Sequence, residues 1–155
     1  MKLIAEIGIN FNGDMKMARE LIRQAKKCDA DVAKFQLYDA AKLFGADNKQ
    51  AMAELSYEAR TLTFEQTKQL HQWCQEEKIE FMASVFDHER LEWLEQLKVQ
   101  RHKIASRTVK MDPDLCNAVL KKGKETFVSL GMWDQPQVPF KDSNAKYLYC
   151  VSKYP

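Results

Sequence analysis

Basic and hydroxyl side chains lie within or directly after several short apolar runs of this sequence. Lys34 and Lys103 occupy two of these runs, and Glu6 lies within the first. Ammonium and hydroxyl groups donate hydrogen bonds to phosphate and carboxylate oxygens. If the runs are neighbouring strands, they form an anion-binding site in which Glu6 supplies the acid or base. The other polar residues predicted for this site are Asn10, Gln36, Ser106, Ser129 and Ser152.

Other interpretations of these residues stay open at this stage. A single lysine in a strand can extend past its neighbours to solvent or pair with a glutamate, and a single serine often serves only a turn. Because a buried carboxylate without a partner is costly, Lys34 or Lys103 is the expected partner of Glu6. A lysine at a barrel strand end is also the nucleophile of Schiff-base aldolases. Spacing alone does not separate that chemistry from phosphate binding.

The elements that must position these residues are short strands and longer amphipathic helices in alternation, which is typical of βαβ units around a parallel sheet. In such folds the functional residues gather at the carboxyl ends of the strands. The predicted strands are residues 3–7, 32–37, 80–85, 103–106, 126–130 and 146–151. The predicted helices are residues 15–28, 63–78, 88–97 and 112–122.

Two connections depart from this rhythm. Residues 38–62 form a long excursion above the strand ends with helical character around 50–59, and long loops there commonly serve function. Residues 131–145 have no helical period, so they are predicted to form an irregular arm.

Six strand-helix modules fill the chain, whereas a closed eight-stranded barrel takes roughly 250 residues. The predicted fold is therefore α/β, a TIM-type (β/α) barrel with about six of its eight modules, in one partial domain over residues 1–155. The first and last strands would be open edges, which proteins normally cover. We expect either a fragment, as the stop just after a strand indicates, or a homo-oligomer or complementing chain that covers the edges.

Composition narrows the possible partners. The 24 Lys and Arg residues against 22 Asp and Glu give a formal charge of +2, without a basic stripe, so nucleic acid is not an expected partner. No apolar run is long enough for a membrane span and the N-terminus does not resemble a signal peptide, so a cytoplasmic protein is expected. The four cysteines lack zinc or redox spacing and are expected to be reduced and mostly buried. The three histidines lack the spacing of a metal site.

Five ordered segments at the predicted strand ends resemble the N-acetylneuraminate (sialic acid) synthase family. They are residues 4–13 (IAEIGINFNG), 33–36 (AKFQ), 102–106 (HKIAS), 129–132 (SLGM) and 150–155 (CVSKYP). The resemblance covers essentially the whole chain. It implies a (β/α)8 barrel that condenses phosphoenolpyruvate with N-acetylmannosamine or a related amino sugar and releases phosphate.

The resemblance also implies roles for individual residues. Lys34, Lys103, Ser106, Ser129 and Ser152 fall where the family holds the phosphate and carboxylate of phosphoenolpyruvate, Glu6 matches an active-site glutamate, and Tyr154 matches a sugar contact. A divalent metal, Mn or Mg, would polarise the sugar aldehyde, and its histidine ligands in the family lie on later strands that this chain does not contain. The family works commonly as a dimer whose C-terminal antifreeze-like domain caps the partner's barrel, and no such domain is expected within residues 1–155.

The sequence departs from the family pattern at several places. Arg107 and Thr108 stand where the pattern continues Gly-Glu, and Phe11 and Tyr149 replace histidines. The leading hypothesis is a sialic acid synthase-like protein with an anion-binding site. The alternative is a non-catalytic truncated or degenerate barrel that binds a small anion or acts as an interaction module.

Overall fold

The computed structural model describes residues 1–45 and 60–153 and contains one sheet of six parallel strands. The strand order in the sheet is the order in the chain, so each strand pairs with the next one along the sequence. The strands are β1 (Ile4–Gly8), β2 (Val32–Leu37), β3 (Glu80–Val85), β4 (Arg101–Ile104), β5 (Glu125–Ser129) and β6 (Ala145–Leu148). This arrangement is an incomplete TIM-type barrel, as the sequence predicted.

Helices connect most of the strands, and side-chain caps explain where several of them begin. Asp14, Thr63, Asp87 and Asp112 each accept backbone N–H bonds at a helix start, and Thr63 forms a capping box with Gln66. The described helices are α1 (Met15–Lys27), α2 (Ala40–Phe44), α3 (Phe64–Glu76), α4 (His88–Gln96), α5 (Ser106–Met111) and α6 (Pro113–Leu120).

The alternation of side chains along each strand separates a helix-facing core from a polar face. In β2, Ala33, Phe35 and Leu37 belong to the main hydrophobic cluster, whereas Lys34 and Gln36 point to the opposite face. Neighbouring strands repeat this pattern, with Phe81, Ala83, Ile104 and Val128 in the cluster. Period-two alternation thus directs Lys34, Gln36, Ser84, Lys103 and Ser129 toward the same side of the sheet.

The two outer strands have one neighbour each. β1 pairs with β2, and β6 pairs with β5, so both are edges in the described part of the chain. Side chains near the β6 edge are exposed although they are apolar, including Tyr149 at 91% and Val151 at 69%. No helix within residues 1–45 and 60–153 is long and apolar enough to cross a membrane.

The fourth predicted strand needs correction. The strand is Arg101–Ile104, and Ser106 begins helix α5 instead of ending a strand. No start signal for α5 is visible in the amino-acid sequence, because Ala105, at the N-cap, has no side chain that could cap the helix. The sixth strand ends at Leu148, earlier than predicted.

The predicted connections compare differently with the structure. The excursion after β2 contains the short helix α2, capped by Asp39, which the sequence interpretation did not place, and the helical part predicted at residues 50–59 lies outside the described residues. The irregular arm predicted between β5 and β6 is confirmed, since residues 131–144 contain no helix or strand.

The burial of the cysteines was predicted correctly for two of the four. All four thiols are free, and Cys74 and Cys116 are buried. Cys28 is exposed at the end of α1, and Cys150 is half-buried because it follows the edge strand β6.

Candidate functional site

A cleft of about 500 Å³ opens at the carboxyl ends of the strands. Its volume is within the range of pockets that hold small molecules. The predicted residues that line it are Glu6, Lys34, Gln36, Lys103, Ser106, Ser129 and Ser152. A smaller cavity of about 290 Å³ between α6 and the arm contains none of them.

Glu6 and Lys34 form one side of the cleft. Lys34 Nζ lies 2.5 Å from Glu6 Oε2, and Gln36 Nε2 lies 3.5 Å from Glu6 Oε1. The expected pairing of Glu6 with a lysine is therefore present, although the carboxylate side chain is half exposed because it faces the open cleft. The register of β1 against β2 shifts between Glu6 and Gly8, and the φ of +57° at Gly8 accommodates this bulge. A Cβ at Gly8 would lie 3.0 Å from Glu6 Oε1.

Lys103 forms the deep end of the cleft and is only 8% exposed. Its Nζ donates to the carbonyl oxygen of Ile104 at 2.7 Å and to Ser129 Oγ at 2.6 Å. Burial and the nearby charge of Lys34 lower the pKa of Lys103 to about 8, against the opposing influence of Glu6. A buried ammonium group of this kind gains stabilisation from any anion that enters the cleft.

The opposite wall is a hydrogen-bonded cluster around Ser106 and Gly131. Ser106 Oγ accepts the backbone N–H of Gly131 at 3.0 Å and lies 3.6 Å from Cys150 Sγ. Glycine at position 131 allows this packing, because a Cβ would lie 2.4 Å from Ser152 Oγ and 3.0 Å from Cys150 Sγ, so these side chains would have to shift. The start of α5, the end of β5 and the segment after β6 therefore meet at one point.

The thiol of Cys150 has an unusual environment. Burial raises its pKa, but hydrogen bonds from the hydroxyls of Ser106 and Ser129 and from the backbone of Gly131 and Leu130 oppose it, and the net shift of the pKa is downward. The same donors that favour a thiolate favour any other anion, so this wall is an anion-stabilising surface.

The register of the sheet explains why these groups meet. Gln36 is the Cα partner of Ser84, and Ser84 is the Cα partner of Lys103, so the three residues form one row across adjacent strands. Ser84 is 2% exposed and lines the cleft between them. Apolar side chains of Leu43, Phe44, Phe86 and Met132 complete the lining.

Two predicted residues are not part of this lining. Asn10 lies exposed in the turn after β1 and does not line the cleft. Tyr154 lies outside the described residues.

The sequence interpretation missed Cys150 as a site residue, and it placed Arg107 beside the site without deciding whether it contacts or blocks a substrate. Cys150 stands two positions before the predicted Ser152. In an extended segment, residues two positions apart point to the same side, and this spacing could have predicted that Cys150 also lines the cleft. Arg107 follows Ser106, but only the start of α5 at Ser106 places its side chain along the cleft.

The residues that depart from the family pattern have structural positions of their own. Phe11 is fully buried and makes an edge-to-face contact with Phe35, so it packs in the core. Tyr149 is exposed to solvent. Thr108 is buried away from the cleft, and its hydroxyl has no hydrogen-bond partner among the described residues.

The described residues do not fit a divalent metal. Within residues 1–45 and 60–153, no group of three His, Cys, Asp or Glu side chains could hold an ion. His102 directly precedes the cleft residue Lys103, but its side chain points away from the cleft. Its Nε2 lies 2.9 Å from Glu95 Oε1 on α4. Glu6 is the carboxylate that lines the cleft, and Lys34 already pairs with it.

These observations define a class of protein, an incomplete TIM-type barrel with a cationic cleft at the strand ends. Comparison with known proteins gives a consistent result. The model of the NeuB family matches residues 21–155. The chain belongs to the NeuB family.

Curated relatives and solved structures agree with this assignment. The chain is 34% identical to N-acetylneuraminate-9-phosphate synthase of Mus musculus, across 99% of this chain and 47% of that protein. It is 32% identical to N,N'-diacetyllegionaminic acid synthase of Legionella pneumophila, across 99% of this chain and 49% of that protein. The chain thus spans about half the length of these relatives.

Among solved structures, N-acetylneuraminic acid synthetase of Leptospira borgpetersenii, in complex with citrate, superimposes with a TM-score of 0.90 at 30% identity. The match covers 99% of this chain and 55% of that chain. A truncated 3-deoxy-D-arabino-heptulosonate 7-phosphate synthase of Thermotoga maritima shares the fold, with a TM-score of 0.61 at 10% identity.

Proposed function

We propose that the cleft binds phosphoenolpyruvate and takes part in its condensation with N-acetylmannosamine or a related amino sugar, which gives a nonulosonic acid and releases phosphate. The observation that carries the proposal is the convergence of Lys34, Lys103, Ser106 and Ser129 on one cleft at the strand ends. Family membership supports it, because the relatives are named as synthases of nonulosonic acids.

The polar groups of the cleft divide into two sets with different tasks. Lys103, Ser106 and Ser129 form a buried donor cluster that suits the phosphate or carboxylate of the substrate. Glu6, held by Lys34, is the carboxylate available as acid or base. Fixed donors around a bound enol phosphate contribute by positioning it against an aldehyde carbon and by stabilising negative charge.

The divalent metal that the family resemblance implies is not assigned to residues of this chain, because the described donor set does not fit it. The proposal for these residues therefore covers binding and orientation of the anionic substrate.

A second candidate is binding without turnover. The observation that favours it is Thr108, which stands where the family pattern has a glutamate and does not line the cleft. Under this hypothesis the chain holds a small anion through the same lysines and serines. A homo-oligomeric state, or a complementing chain that covers the β1 and β6 edges, fits either candidate.

Titration of phosphoenolpyruvate into the 155-residue chain, with and without manganese, tests the proposal. We expect saturable binding without metal, and loss of that binding in Lys103→Ala and Lys103→Met. Lys110→Ala is the matched control, because Lys110 is exposed on α5 and does not line the cleft.

The outcomes separate the hypotheses. If the unmodified chain binds phosphoenolpyruvate and both Lys103 variants still bind it, the assignment of the deep end as the anion site is refuted. Binding without product formation from phosphoenolpyruvate, manganese and N-acetylmannosamine favours the non-catalytic candidate. Mass gain on Lys34 or Lys103 after borohydride treatment with pyruvate would support Schiff-base chemistry instead.

A further inference from the structure

Arg107 differs from the other cations of the cleft in its place and its partners. It lies on α5, one residue after Ser106, and its side chain is exposed where it lines the cleft. Lys103, by contrast, is 8% exposed at the deep end. One cation therefore lies at the mouth of the cleft and another at its bottom.

The guanidinium group of Arg107 is fixed across the mouth. Its Nη2 donates to the carbonyl oxygen of Leu43 at 3.1 Å, which ties α5 to α2 on the other side of the β3 end. This contact uses one donor of a planar group that carries five N–H bonds. The remaining donors stay available to a ligand in the fork geometry that matches phosphate oxygens.

Arg107 also has no compensating charge among residues 1–45 and 60–153. Arg19, Arg23, Arg90 and Arg101 each form an ion pair with a carboxylate, whereas Arg107 forms none with the described residues. Within the cleft, the single described carboxylate, Glu6, is paired with Lys34. Among the described residues, the mouth thus carries a positive charge without a carboxylate partner, and an incoming anionic group would neutralise it.

We infer that Arg107 binds an anionic group on the second substrate, so that the amino sugar taken by this cleft is a phosphate monoester. The inference rests on the proposed function, since it assigns the deep cluster around Lys103 to phosphoenolpyruvate. A cleft of about 500 Å³ has room for a second molecule toward the mouth. The named relatives make both phosphorylated and unphosphorylated products, so family membership by itself leaves the choice open.

The test is a binding comparison of N-acetylmannosamine and N-acetylmannosamine 6-phosphate on the 155-residue chain, in the presence of saturating phosphoenolpyruvate. We expect the phosphate ester to bind about tenfold more tightly, as one charge-assisted contact provides. Arg107→Gln should abolish this preference. Lys110→Gln, a charge-matched change on the exposed side of the same helix, should retain it.

Phosphoenolpyruvate binding is measured separately on each variant. We expect Arg107→Gln to leave it within about threefold, because the deep cluster is intact. Equal affinity for the two sugars, absence of binding of the phosphate ester, or a preference that survives in Arg107→Gln would overturn the inference. A large loss of phosphoenolpyruvate binding in Arg107→Gln would also overturn it and assign Arg107 to the first substrate. Failure of the unmodified chain to bind phosphoenolpyruvate would instead contradict the proposed function.

Discussion

Lys103 has opposite effects on folding and on binding. Its pKa of about 8 lies below the ordinary lysine value of 10.5 because the folded protein buries the ammonium group. The folded pKa is lowered, so below pH 8 the buried charge opposes folding, and this cost disappears as the pH rises from about 8 toward 10.5. The residue is retained, on our proposal, because the charge binds the substrate.

We therefore expect Lys103→Met to stabilise the protein at pH 7 while it removes phosphoenolpyruvate binding. The methionine fills a similar volume without the desolvation cost, and a gain of about 1–3 kcal/mol in the free energy of unfolding is expected. Urea unfolding at pH 7 measures the gain. A variant that is less stable than the unmodified chain would contradict this account of Lys103.

The pH dependence of binding follows from the same pKa. In the unmodified chain, the affinity for phosphoenolpyruvate should fall by about tenfold between pH 7 and pH 9, because the ammonium form is lost above pH 8. Titrations at both pH values, with the stability checked at each, measure the change. An affinity that does not vary over this range would indicate that the Lys103 charge does not contribute.

Cys150 is predicted to be the most reactive thiol within the described core and cleft. Its pKa is lowered by the hydroxyls of Ser106 and Ser129 and by nearby backbone N–H groups, despite the opposing effect of burial, whereas burial raises the pKa of Cys74 and Cys116 to about 12. In a Cys28→Ser background, which removes the exposed thiol, iodoacetamide at pH 7.5 should label Cys150 first. Peptide mass spectrometry measures the order of labelling.

Phosphoenolpyruvate should slow the labelling of Cys150, because the substrate competes for the same donors and covers the thiol. The labelling rate of unfolded chain in urea serves as the reference for intrinsic reactivity. Labelling of Cys74 or Cys116 before Cys150 would contradict the described environment.

At the scale of elements, Gly131 joins three parts of the chain that the sheet alone does not bring together. The end of β5, the start of α5 and the segment after β6 meet there without room for a side chain. We expect Gly131→Ala to displace Cys150 and Ser152 and to weaken phosphoenolpyruvate binding by at least tenfold, measured by titration.

Gly123→Ala is the matched control for this change. Gly123 has a φ of +69°, and no atom of the described residues lies within 4 Å of an added Cβ, so alanine there should cost about 1 kcal/mol of stability through backbone strain. It should leave the affinity for phosphoenolpyruvate unchanged. If both variants lose stability equally and neither loses affinity, the close contact at Gly131 does not position the site.

At the scale of the whole molecule, the open edges are the principal structural liability. In the part of the chain that the structure describes, β1 and β6 each have one neighbour, and Leu148, Tyr149 and Val151 expose apolar surface beside β6. Unpaired strand edges with apolar neighbours favour association. We expect the 155-residue chain to self-associate in a concentration-dependent manner, which analytical ultracentrifugation measures.

A Val151→Lys variant should weaken that association, because a charge beside the edge opposes pairing with another strand. Lys110→Glu, on exposed α5, is the control for a change of surface charge away from the edge. A monomer at all concentrations would contradict the expectation that another chain covers these edges.

The alternation of strands and helices, most helix starts and the inner positions of Lys34 and Lys103 could be predicted from the amino-acid sequence. These features depend on local rules: period-two alternation within strands, and capping by Asp14, Thr63, Asp87 and Asp112. The start of α5 followed no such rule, because Ala105 has no capping side chain and Ser106 Oγ instead accepts a bond from Gly131.

The full set of residues that share the cleft depends on how the elements pack together. Arg107 and Cys150 entered the site through the start of α5 and the close approach at Gly131, which join residues far apart in sequence. The pairing of Glu6 with Lys34, and not with Lys103, follows from the register of β1 against β2, where the two are direct partners. Sequence patterns specify which side of an element a residue occupies, whereas distances between elements depend on how all the strands pack together.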